Sequence, residues 1–495
     1  MDIIIRKGFA DQAKTDALAL FWFAEGAQLS AAAQVDKATK GFLSAVAKED
    51  GFKTKEGDIL VIRTDGRLPV KRVILCGLGS RKDASEESIR IASASALIDL
   101  KKFPESRLAF VFDAPSHVGV FETAKAMAEG LRLASYHYVA HKTAEPEGPA
   151  AVEVIVGDAK QWRAAKEGFD LGLLFAEATA RARDLVNAPA GHLSPADLAR
   201  AAQEAVKGKK GISILFIEKT QLAKMGAGGL LGVGQGSDHD PVLVHMTYKP
   251  TGKKAKRRVA LVGKAITFDS GGLSIKTSKG METMKCDMAG AAAVIGVFSV
   301  INQIKPDVEV HGIFGACENM ISGNAIRPGD VVKTLNGKTM EILNTDAEGR
   351  VTLADTLAYA ARLKPDAIVD LATLTGAVIV ALGEEITGLM SNNRILAAKI
   401  KTAADEAGES VWELPLEKKY AHELKSNIAD YKNDTSRWGG SITAGLLLQE
   451  FVDGCPWVHL DIAGPAFAEK PPNAYTKKGG TGHGVRTLLS WLKGF

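Results

Sequence analysis

The side chains that could do chemistry gather in two short windows of the sequence, residues 262–290 and 344–350. Four carboxylates and three cations of these windows could form one cluster, namely Lys264, Asp269, Lys276, Asp287, Asp346, Glu348 and Arg350. Carboxylates that cluster without a cation repel one another and raise one another's pKa, so such a group needs a compensating charge. Because hard oxygen ligands suit divalent metal ions, the two windows predict a metal site.

The charge of this cluster indicates how many ions it would hold. Its four carboxylates carry four negative charges, which two divalent ions would balance. Two ions roughly 3.5–4 Å apart can share a bridging water, lower its pKa and hold a carbonyl oxygen. Lys276 and Arg350 would remain near the substrate, to stabilise an oxyanion or hold an anionic helper. The alternative is a solvated ion-pair network, but the glycine and alanine runs around these charges favour a narrow cleft.

Alternating strands and helices are predicted along the whole chain, as in α/β proteins. In the first third, strands are predicted at 2–6, 17–23, 59–64, 72–76, 108–112 and 152–156, and helices at 84–102, 118–138 and 161–185. In the second part, strands are predicted at 213–217, 242–248, 259–263, 308–314, 339–343, 367–372 and 457–461, and helices at 289–303, 352–363, 397–406 and 441–451. The pair Asn336–Gly337 between two strand-like runs predicts a hairpin.

This alternation explains how distant carboxylates would meet. Lys264 and Asp269 would lie just past the strand 259–263, Asp346 and Glu348 just past the strand 339–343, and Asp287 just before the helix 289–303. Ligands of α/β sheets bind beyond the carboxyl ends of strands, so three segments are expected to converge on one cleft. In extended backbone the i, i+2 spacing of Asp346 and Glu348 would turn both carboxylates to the same side.

Composition places the chain among globular proteins. Of its 495 residues 46% are apolar and 24% charged, which excludes disorder of the whole chain. The net charge of +4 is too small to indicate nucleic-acid binding by itself. No apolar run reaches the roughly 18 residues of a membrane span, and the N-terminus has no signal-peptide pattern, so a cytoplasmic protein is expected. The four cysteines lie far apart and are expected to be reduced.

Other residue patterns in the sequence are weaker indications of a functional site. The sequence contains no HExxH, GxSxG, GxGxxG or P-loop motif. His137 and His141 have the i, i+4 spacing of a helical metal pair, but a plain surface pair is favoured because no acidic partner is near. His459 and His483 are expected in core packing or in support of the site. The segment 249–258 holds six cations in ten residues and predicts a solvated loop, or alternatively an anion- or DNA-binding patch.

The two windows resemble the signature of the leucyl (cytosol) aminopeptidase family. The similarity lies in NTDAEGR at 344–350, in 263–276 and in 284–290, with weaker similarity at 182–189, 370–376 and 460–464. It covers roughly residues 180–495. The resemblance implies a two-domain α/β protein that assembles as a hexamer and carries a two-metal aminopeptidase site, with Zn²⁺ or Mn²⁺ as the ions. The expected organisation is a smaller, macro-like N-terminal α/β domain over 1–165, a linker helix over 166–185, and a larger catalytic domain over 186–495 with a central mixed sheet flanked by helices.

The resemblance also implies a role for each residue that matches the family's motifs. Asp269 and Glu348 would bridge both metals, Lys264 and Asp287 would complete the tighter site, and Asp346 the more exchangeable one. Lys276 would polarise the scissile carbonyl, and Arg350 would hold a bicarbonate that serves as general base. The residues expected to contact the substrate are Met284, Asn344, Thr373, Leu374 and Gly376.

Two features of this pattern are unusual. A lysine metal ligand requires a neutral amine, so without the resemblance Lys264 would be interpreted as an anion-binding lysine. Ala265 stands where the family usually has glycine, which adds a methyl group near the metals. The expected function is release of N-terminal leucine and other apolar residues from peptides. The alternatives are a DNA-binding regulatory protein on the same scaffold and a phosphate-ester hydrolase that uses the same carboxylates.

Overall fold

The computed structural model describes residues 1–9, 15–24, 29–103, 107–143, 151–252 and 255–495. The chain forms two compact units, one of Met1–Glu177 with Lys470–Lys477, and one of Ala178–Glu469 with Lys478–Phe495. The predicted linker 166–185 lies inside one 26-residue helix that runs through the boundary between the units. No sequence signal indicated that residues 470–477 return to the first unit.

The first unit contains a six-stranded sheet with helices on both faces. Its strands are β1 (Asp2–Lys7), β2 (Ala17–Trp22), β3 (Ile59–Arg63), β4 (Arg72–Gly77), β5 (Arg107–Val111) and β6 (Ala151–Val156). Its helices are α1 (Ser30–Ala38), α2 (Phe42–Glu49), α3 (Glu86–Leu100), α4 (Val120–Ala134) and the start of α5 (Trp162–Asn187). The strand order is β1-β6-β5-β2-β4-β3, and every neighbouring pair is parallel except β3 with β4.

The central strand β2 shows why this sequence forms a two-faced sheet. Its six residues, ALALFW, are all buried, and alternate side chains enter different cores. Phe21 packs in a core with α3 and α4, whereas Leu20 and Trp22 pack in a second core with α1 and α2. A strand buried on both faces is a continuous apolar run rather than an alternating one.

A buried ion pair in this unit leads to a stability prediction. Arg90 on α3 donates from Nε to Oε2 of Glu129 on α4 over 2.7 Å, and both side chains are fully buried. Burial lowers the pKa of Arg90, but Glu129 and Glu87 raise that pKa by more, so the guanidinium stays charged. We expect Glu129→Leu to reduce the free energy of unfolding by about 3–5 kcal/mol, because the buried cation Arg90 loses the fully buried one of the carboxylates that pair with it.

Urea unfolding followed by circular dichroism measures this loss. The matched control is Glu167→Leu, which breaks the exposed pair with Arg163, where the two atoms lie 3.0 Å apart. That change should cost less than about 1 kcal/mol. Equal losses in the two variants would contradict the assignment of the stability to the buried pair.

The second unit is built around an eight-stranded mixed sheet. The strands of this unit, in the large sheet and in two smaller ones, are β7 (Ile212–Glu218), β8 (Val242–Tyr248), β9 (Arg258–Asp269), β10 (Glu309–Asn319), β11 (Val331–Lys333), β12 (Thr339–Glu341), β13 (Ala367–Ala372), β14 (Thr387–Ser391), β15 (Val411–Glu413), β16 (Tyr431–Lys432), β17 (Trp457–Asp461), β18 (Phe467–Ala468) and β19 (Gly479–Gly480). The order in the large sheet is β15-β14-β17-β13-β9-β10-β8-β7, with parallel pairs at its centre.

Helices cover both faces of this sheet. They are α6 (Pro195–Val206), α7 (Lys219–Met225), α8 (Gly228–Gly234), α9 (Ser278–Met281), α10 (Ala289–Ile304), α11 (Glu348–Arg362), α12 (Gly376–Leu382), α13 (Arg394–Ala407), α14 (Gly440–Gln449) and α15 (Val485–Lys493). The predicted hairpin at Asn336–Gly337 is confirmed, because β11 and β12 pair antiparallel around that turn. The predicted fold class, two α/β domains with a mixed sheet in the larger one, is also confirmed.

One helical stretch, Ser278–Ile304, is long and apolar enough by length and composition to cross a membrane. The sequence analysis counted only uninterrupted apolar runs and did not find it. Of its most apolar window, 89% is buried inside the protein, because α10 packs against β9 and α15 in the core. Such burial is typical of a helix in the core of a globular domain. The four cysteines are free, as expected.

Candidate active site

Strand β9 carries two of the predicted site residues. Lys264 and Asp269 were predicted just past a strand ending at 263, and this boundary was wrong, since β9 continues to Asp269. The extension is stabilised by pairing with β10, in which Gly315 opposes Lys264 and Asn319 opposes Asp269. The backbone hydrogen bonds are therefore satisfied in the sheet, and the polar side chains are free to point into the site.

The ammonium group of Lys264 lies among buried acceptors. Its Nζ is 2.8 Å from Oδ1 of Asp287 and 2.8 Å from Oε1 of Glu348, and it donates to the carbonyl oxygen of Thr373 over 2.9 Å. Burial lowers the pKa of Lys264, but Asp287, Glu348 and Asp269 raise that pKa by more. In this arrangement Lys264 is therefore an internal cation that partly neutralises the carboxylates.

Lys276 is the second internal cation, at the more open side of the cluster. Its Nζ is 2.8 Å from Oδ2 of Asp269 and 2.5 Å from Oδ1 of Asp346. The side chain of Lys276 is 18% exposed, against 4% for that of Lys264. Four carboxylates thus face two ammonium groups, which leaves two negative charges uncompensated within the cluster.

A tight turn presents Asp346 and Glu348. The expectation that both residues lie on extended backbone was wrong, because Glu348 is the first residue of α11. The side chain of Asn344 accepts a hydrogen bond from the backbone N–H of Asp346 over 2.9 Å, and its carbonyl accepts one from Ala347 over 3.2 Å. These local bonds favour a turn over a strand. The first turn of a helix also stabilises the charge of Glu348.

The cluster fits a divalent metal ion. Ligand oxygens of Asp269, Asp346 and Glu348 all lie within 4.8 Å of one another. Oδ2 of Asp287 and Oε2 of Glu348 are buried and have no hydrogen-bond partner in the described part of the chain. Burial raises the pKa of Asp287, of Asp346 and of Glu348. A buried carboxylate oxygen without a donor is costly, and a bound cation removes that cost.

Arg350 lies in the first turn of α11 and is buried. Its Nε has no hydrogen-bond partner among the described residues. Burial lowers the pKa of Arg350, while the nearby charges of Asp434, Glu348 and Asp461 act in the opposite direction. A buried guanidinium with an unused donor is suited to bind a small anion.

The residues predicted to contact substrate lie on the segments around the cluster. Thr373 donates from Oγ1 to Oδ1 of Asp287 over 2.7 Å. Leu374 follows it, half-buried, and Gly376 is the first residue of α12. Met284 begins a 3₁₀ turn that ends just before Asp287. Asn344 lies in the turn described above.

Two residues that support the site were not predicted as such. Asn319 donates from Nδ2 to Oδ1 of Asp269 over 2.8 Å and to the carbonyl of Thr345 over 2.9 Å. Asp461 accepts hydrogen bonds from the backbone N–H of Leu374 and the hydroxyl of Thr375. Their position in the sequence could have indicated this role, because both residues end strands of the sheet that carries Asp269. The predicted strand 308–314 stopped too early to show this for Asn319.

Glycine at position 349 makes room for Lys264. A Cβ atom there would lie 2.6 Å from Cε and 2.7 Å from Nζ of Lys264. We therefore expect Gly349→Ala to displace the ammonium, to lower the free energy of unfolding by about 1–3 kcal/mol, and to reduce the activity of the site. Thermal unfolding and an activity assay measure the two effects. The control is Gly323→Ala, where a Cβ would meet nothing within 4 Å. Unchanged activity in Gly349→Ala would contradict this packing.

The histidines lie outside the cluster's hydrogen bonds and ion pairs, as far as the chain is described. The predicted helical pair His137 and His141 was wrong, because α4 ends at Ala134 and both histidines follow it in a loop. His459 is fully buried, with Nδ1 2.6 Å from Oδ1 of Asp370. His483 pairs with the hydroxyl of Thr387. In the basic segment 249–258, Lys253 and Lys254 lie outside the described residues.

Comparison with known families matches both parts of the chain. Residues 180–489 match the catalytic domain of the cytosol aminopeptidase family, and residues 17–145 match the N-terminal domain of the same family. The resemblance found in the sequence motifs is thereby confirmed. It also extends to the first third of the chain, where no motif had been found.

Individual proteins give the same result over nearly the full length. A probable cytosol aminopeptidase of Rippkaea orientalis is 44% identical over 483 residues, covering 97% of each chain. One of Aquifex aeolicus is 45% identical over 463 residues, covering 93% of this chain and 92% of the other.

Solved structures agree with the sequence relatives. The bottromycin maturation enzyme BotP in complex with Mn has a TM-score of 0.85 and 38% identity, covering 97% of this chain and 99% of BotP. A mutant of tomato leucine aminopeptidase has a TM-score of 0.88 and 34% identity, covering 100% of this chain and 97% of the tomato protein. The chain therefore belongs to the cytosol aminopeptidase family and is a metal-dependent aminopeptidase.

Proposed function

We propose that the protein releases N-terminal amino acids, preferentially leucine and other apolar residues, from peptides at the carboxylate cluster of the second unit. The observation that carries the proposal is the cluster itself. Four carboxylates surround two lysines in a chain of aminopeptidase sequence, and two of their buried oxygens have no hydrogen-bond partner in the part of the chain that the structure describes. The proposed cofactors are two divalent ions, Zn²⁺ or Mn²⁺, and the Mn-bound BotP supports manganese as one choice.

The residues that would hold the ions are Lys264, Asp269, Asp287, Asp346 and Glu348. When bound, such ions supply an activated water and a Lewis acid for the carbonyl oxygen. Lys264 could bind a metal ion only as a neutral amine, because a metal ligand must offer a free lone pair. In the metal-free cluster the surrounding carboxylates keep this amine charged. Two ions would replace the positive charge that Lys264 supplies here, so its proton can leave when they bind.

The two other cations would act on the substrate directly. The ammonium of Lys276, at the more open side of the cluster, would donate a hydrogen bond to the scissile carbonyl oxygen as negative charge develops there. Arg350 would hold a bicarbonate through Nε, which has no partner among the described residues, and such an anion would supply a general base beside the substrate. The carboxylates would orient the free α-amino group of the peptide, which accounts for attack at the first peptide bond.

The segments around the cluster would hold the side chain of the N-terminal residue. Met284 supplies an apolar, adaptable surface beside Asp287, and Leu374 and Gly376 lie where the Thr373 segment leaves the cluster. Asn344 would add polar contacts from the turn. An apolar lining of this kind favours leucine over charged residues.

A pair of substrates tests the proposal. Leucine p-nitroanilide carries the free amine that the mechanism requires, and its N-acetyl derivative differs only by blocking that amine. Protein loaded with Mn²⁺ should hydrolyse the first and leave the second intact. Bis-p-nitrophenyl phosphate tests the phosphate-ester alternative in the same assay. Hydrolysis of the acetylated or the phosphate substrate, without hydrolysis of the free one, would overturn the proposal.

We further propose a cytoplasmic homohexamer. The relatives are cytosol aminopeptidases by name, and the second unit exposes large apolar side chains, which is typical of subunit interfaces. Examples are Val380 at 90%, Trp438 at 72% and Ile395 at 72% exposure. Light scattering after gel filtration measures the assembly. No finding supports DNA binding by the basic segment 249–258.

A further inference from the structure

Asn433 is a buried residue that lies some ninety residues along the chain from the turn that presents Asp346 and Glu348. It follows β16, which pairs in parallel register with β12, Met340 opposite Tyr431 and Glu341 opposite Lys432. Continuing that register, the backbone N–H of Asn433 donates to the carbonyl of Glu341 over 2.9 Å. The pairing therefore places the Asn433 side chain, which is fully buried, beside the start of the turn.

The amide of Asn433 bonds to the backbone of this turn at four points. Its Oδ1 accepts from the N–H of Leu343 over 2.9 Å and from that of Asn344 over 3.3 Å. Its Nδ2 donates to the carbonyl of Asn344 over 2.7 Å and to that of Ala347 over 3.3 Å. The bonded residues flank Asp346 on both sides and end directly before Glu348.

The chemistry of this contact requires an amide. One end of the side chain meets two N–H groups and the other end meets two carbonyl groups, so the residue must be an acceptor and a donor at once. A carboxylate of the same shape would direct an oxygen at the two carbonyls. An alanine would leave all four backbone groups without these partners, and the loss is most costly at the carbonyl of Ala347, where the bond is buried.

We propose that Asn433 is the positioning residue of the metal-binding turn, holding Asp346 and Glu348 at the separation that a divalent ion requires. The inference rests on the proposed function, because it assumes that these carboxylates bind metal. Asn433 makes no contact with the reacting atoms and acts through the backbone of residues 343–347. Groups that orient metal ligands typically change metal affinity ten- to a hundredfold when they are lost.

Calorimetric titration of the metal-stripped full chain with Mn²⁺ tests the proposal. We expect Asn433→Asp to weaken Mn²⁺ binding at least tenfold, and by as much as Asn433→Ala or more, because the carboxylate opposes two carbonyl oxygens. A role in packing alone predicts the reverse order, since aspartate keeps the volume and alanine does not. The matched control is Asn392→Asp, because the amide of Asn392 also accepts from one backbone N–H, that of Trp457, and donates to one carbonyl, that of Cys455. That control should bind Mn²⁺ as the unchanged protein does.

The outcomes separate the inference from the proposed function. Unchanged Mn²⁺ affinity in Asn433→Asp, or a larger loss in Asn433→Ala, would overturn the inference. An unmutated protein that takes up no Mn²⁺ would instead overturn the proposed function. Hydrogen exchange of the unmutated, metal-stripped protein gives a readout that needs no variant. The amides of Leu343 and Asn344 should exchange slowly, and exchange as fast as in an exposed loop would overturn the inference.

Discussion

Glu348→Gln is expected to lower kcat/KM for leucine p-nitroanilide by about a thousandfold, which corresponds to about 4 kcal/mol of lost transition-state stabilisation. The substitution keeps the shape of the side chain and removes one of the cluster's negative charges. Glu348 is suited to bind a cation, since Oε1 lies 2.8 Å from Nζ of Lys264 and Oε2 is buried with no hydrogen-bond partner among the described residues. A neutral amide oxygen binds a divalent cation far more weakly than a carboxylate does.

The control for this variant is Glu341→Gln, which makes the same chemical change seven residues earlier. Glu341 accepts a hydrogen bond from the hydroxyl of Ser426 and lies outside the carboxylate cluster. Its activity per folded molecule should stay within a few-fold of the unchanged protein, and the metal content should be equal. Comparable activity in both variants would show that Glu348 is not needed for catalysis.

Lys276→Met is expected to lower kcat by about a hundred- to a thousandfold with little change in KM, as expected when a group that stabilises an oxyanion is lost. The affinity for Mn²⁺ should not fall, because both carboxylate partners of this lysine, Asp269 and Asp346, remain. This combination distinguishes a residue that acts on the substrate from one that holds the metal.

The stability of the same variant gives an independent readout. Without metal, Lys276→Met leaves Asp269 and Asp346 without their shared cation, so repulsion should lower its melting temperature. Added Mn²⁺ should restore more of the melting temperature in the variant than in the unchanged protein. The control is Lys279→Met on the exposed side of α9, which should change none of these quantities. A variant with normal kcat and reduced Mn²⁺ affinity would place Lys276 in metal binding instead.

The regular elements of the fold could be predicted where the apolar pattern is strong. The buried strand β2 and the core helix α10 are continuous apolar runs, and their positions in the sequence are nearly those in the structure. Helices α1 and α2 were missed. They have nine and eight residues and no side-chain cap at their N-termini, so neither length nor capping marks them. Their helical form depends on packing over β2, which is a tertiary effect.

The site could be predicted as a set of residues but not as an arrangement. The acidic and basic types in the two windows indicate a metal cluster, and the structure brings its four carboxylates together with Lys264 and Lys276. The sequence does not predict the turn at 344–347, because the hydrogen bonds of this turn come in part from Asn433, which local sequence cannot reveal. Likewise, the ion pairs of Lys264 with Asp287 and Glu348 join three segments far apart in the chain.

The most direct test of the metal site is anomalous diffraction at the manganese edge from crystals of the protein soaked in Mn²⁺. We expect two anomalous peaks among the oxygens of Asp269, Asp287, Asp346 and Glu348, roughly 3.5–4 Å apart. Nζ of Lys264 should then lie within bonding distance of one peak. Crystals in which these oxygens keep their lysine partners, with no anomalous peak between them at saturating Mn²⁺, would contradict the account.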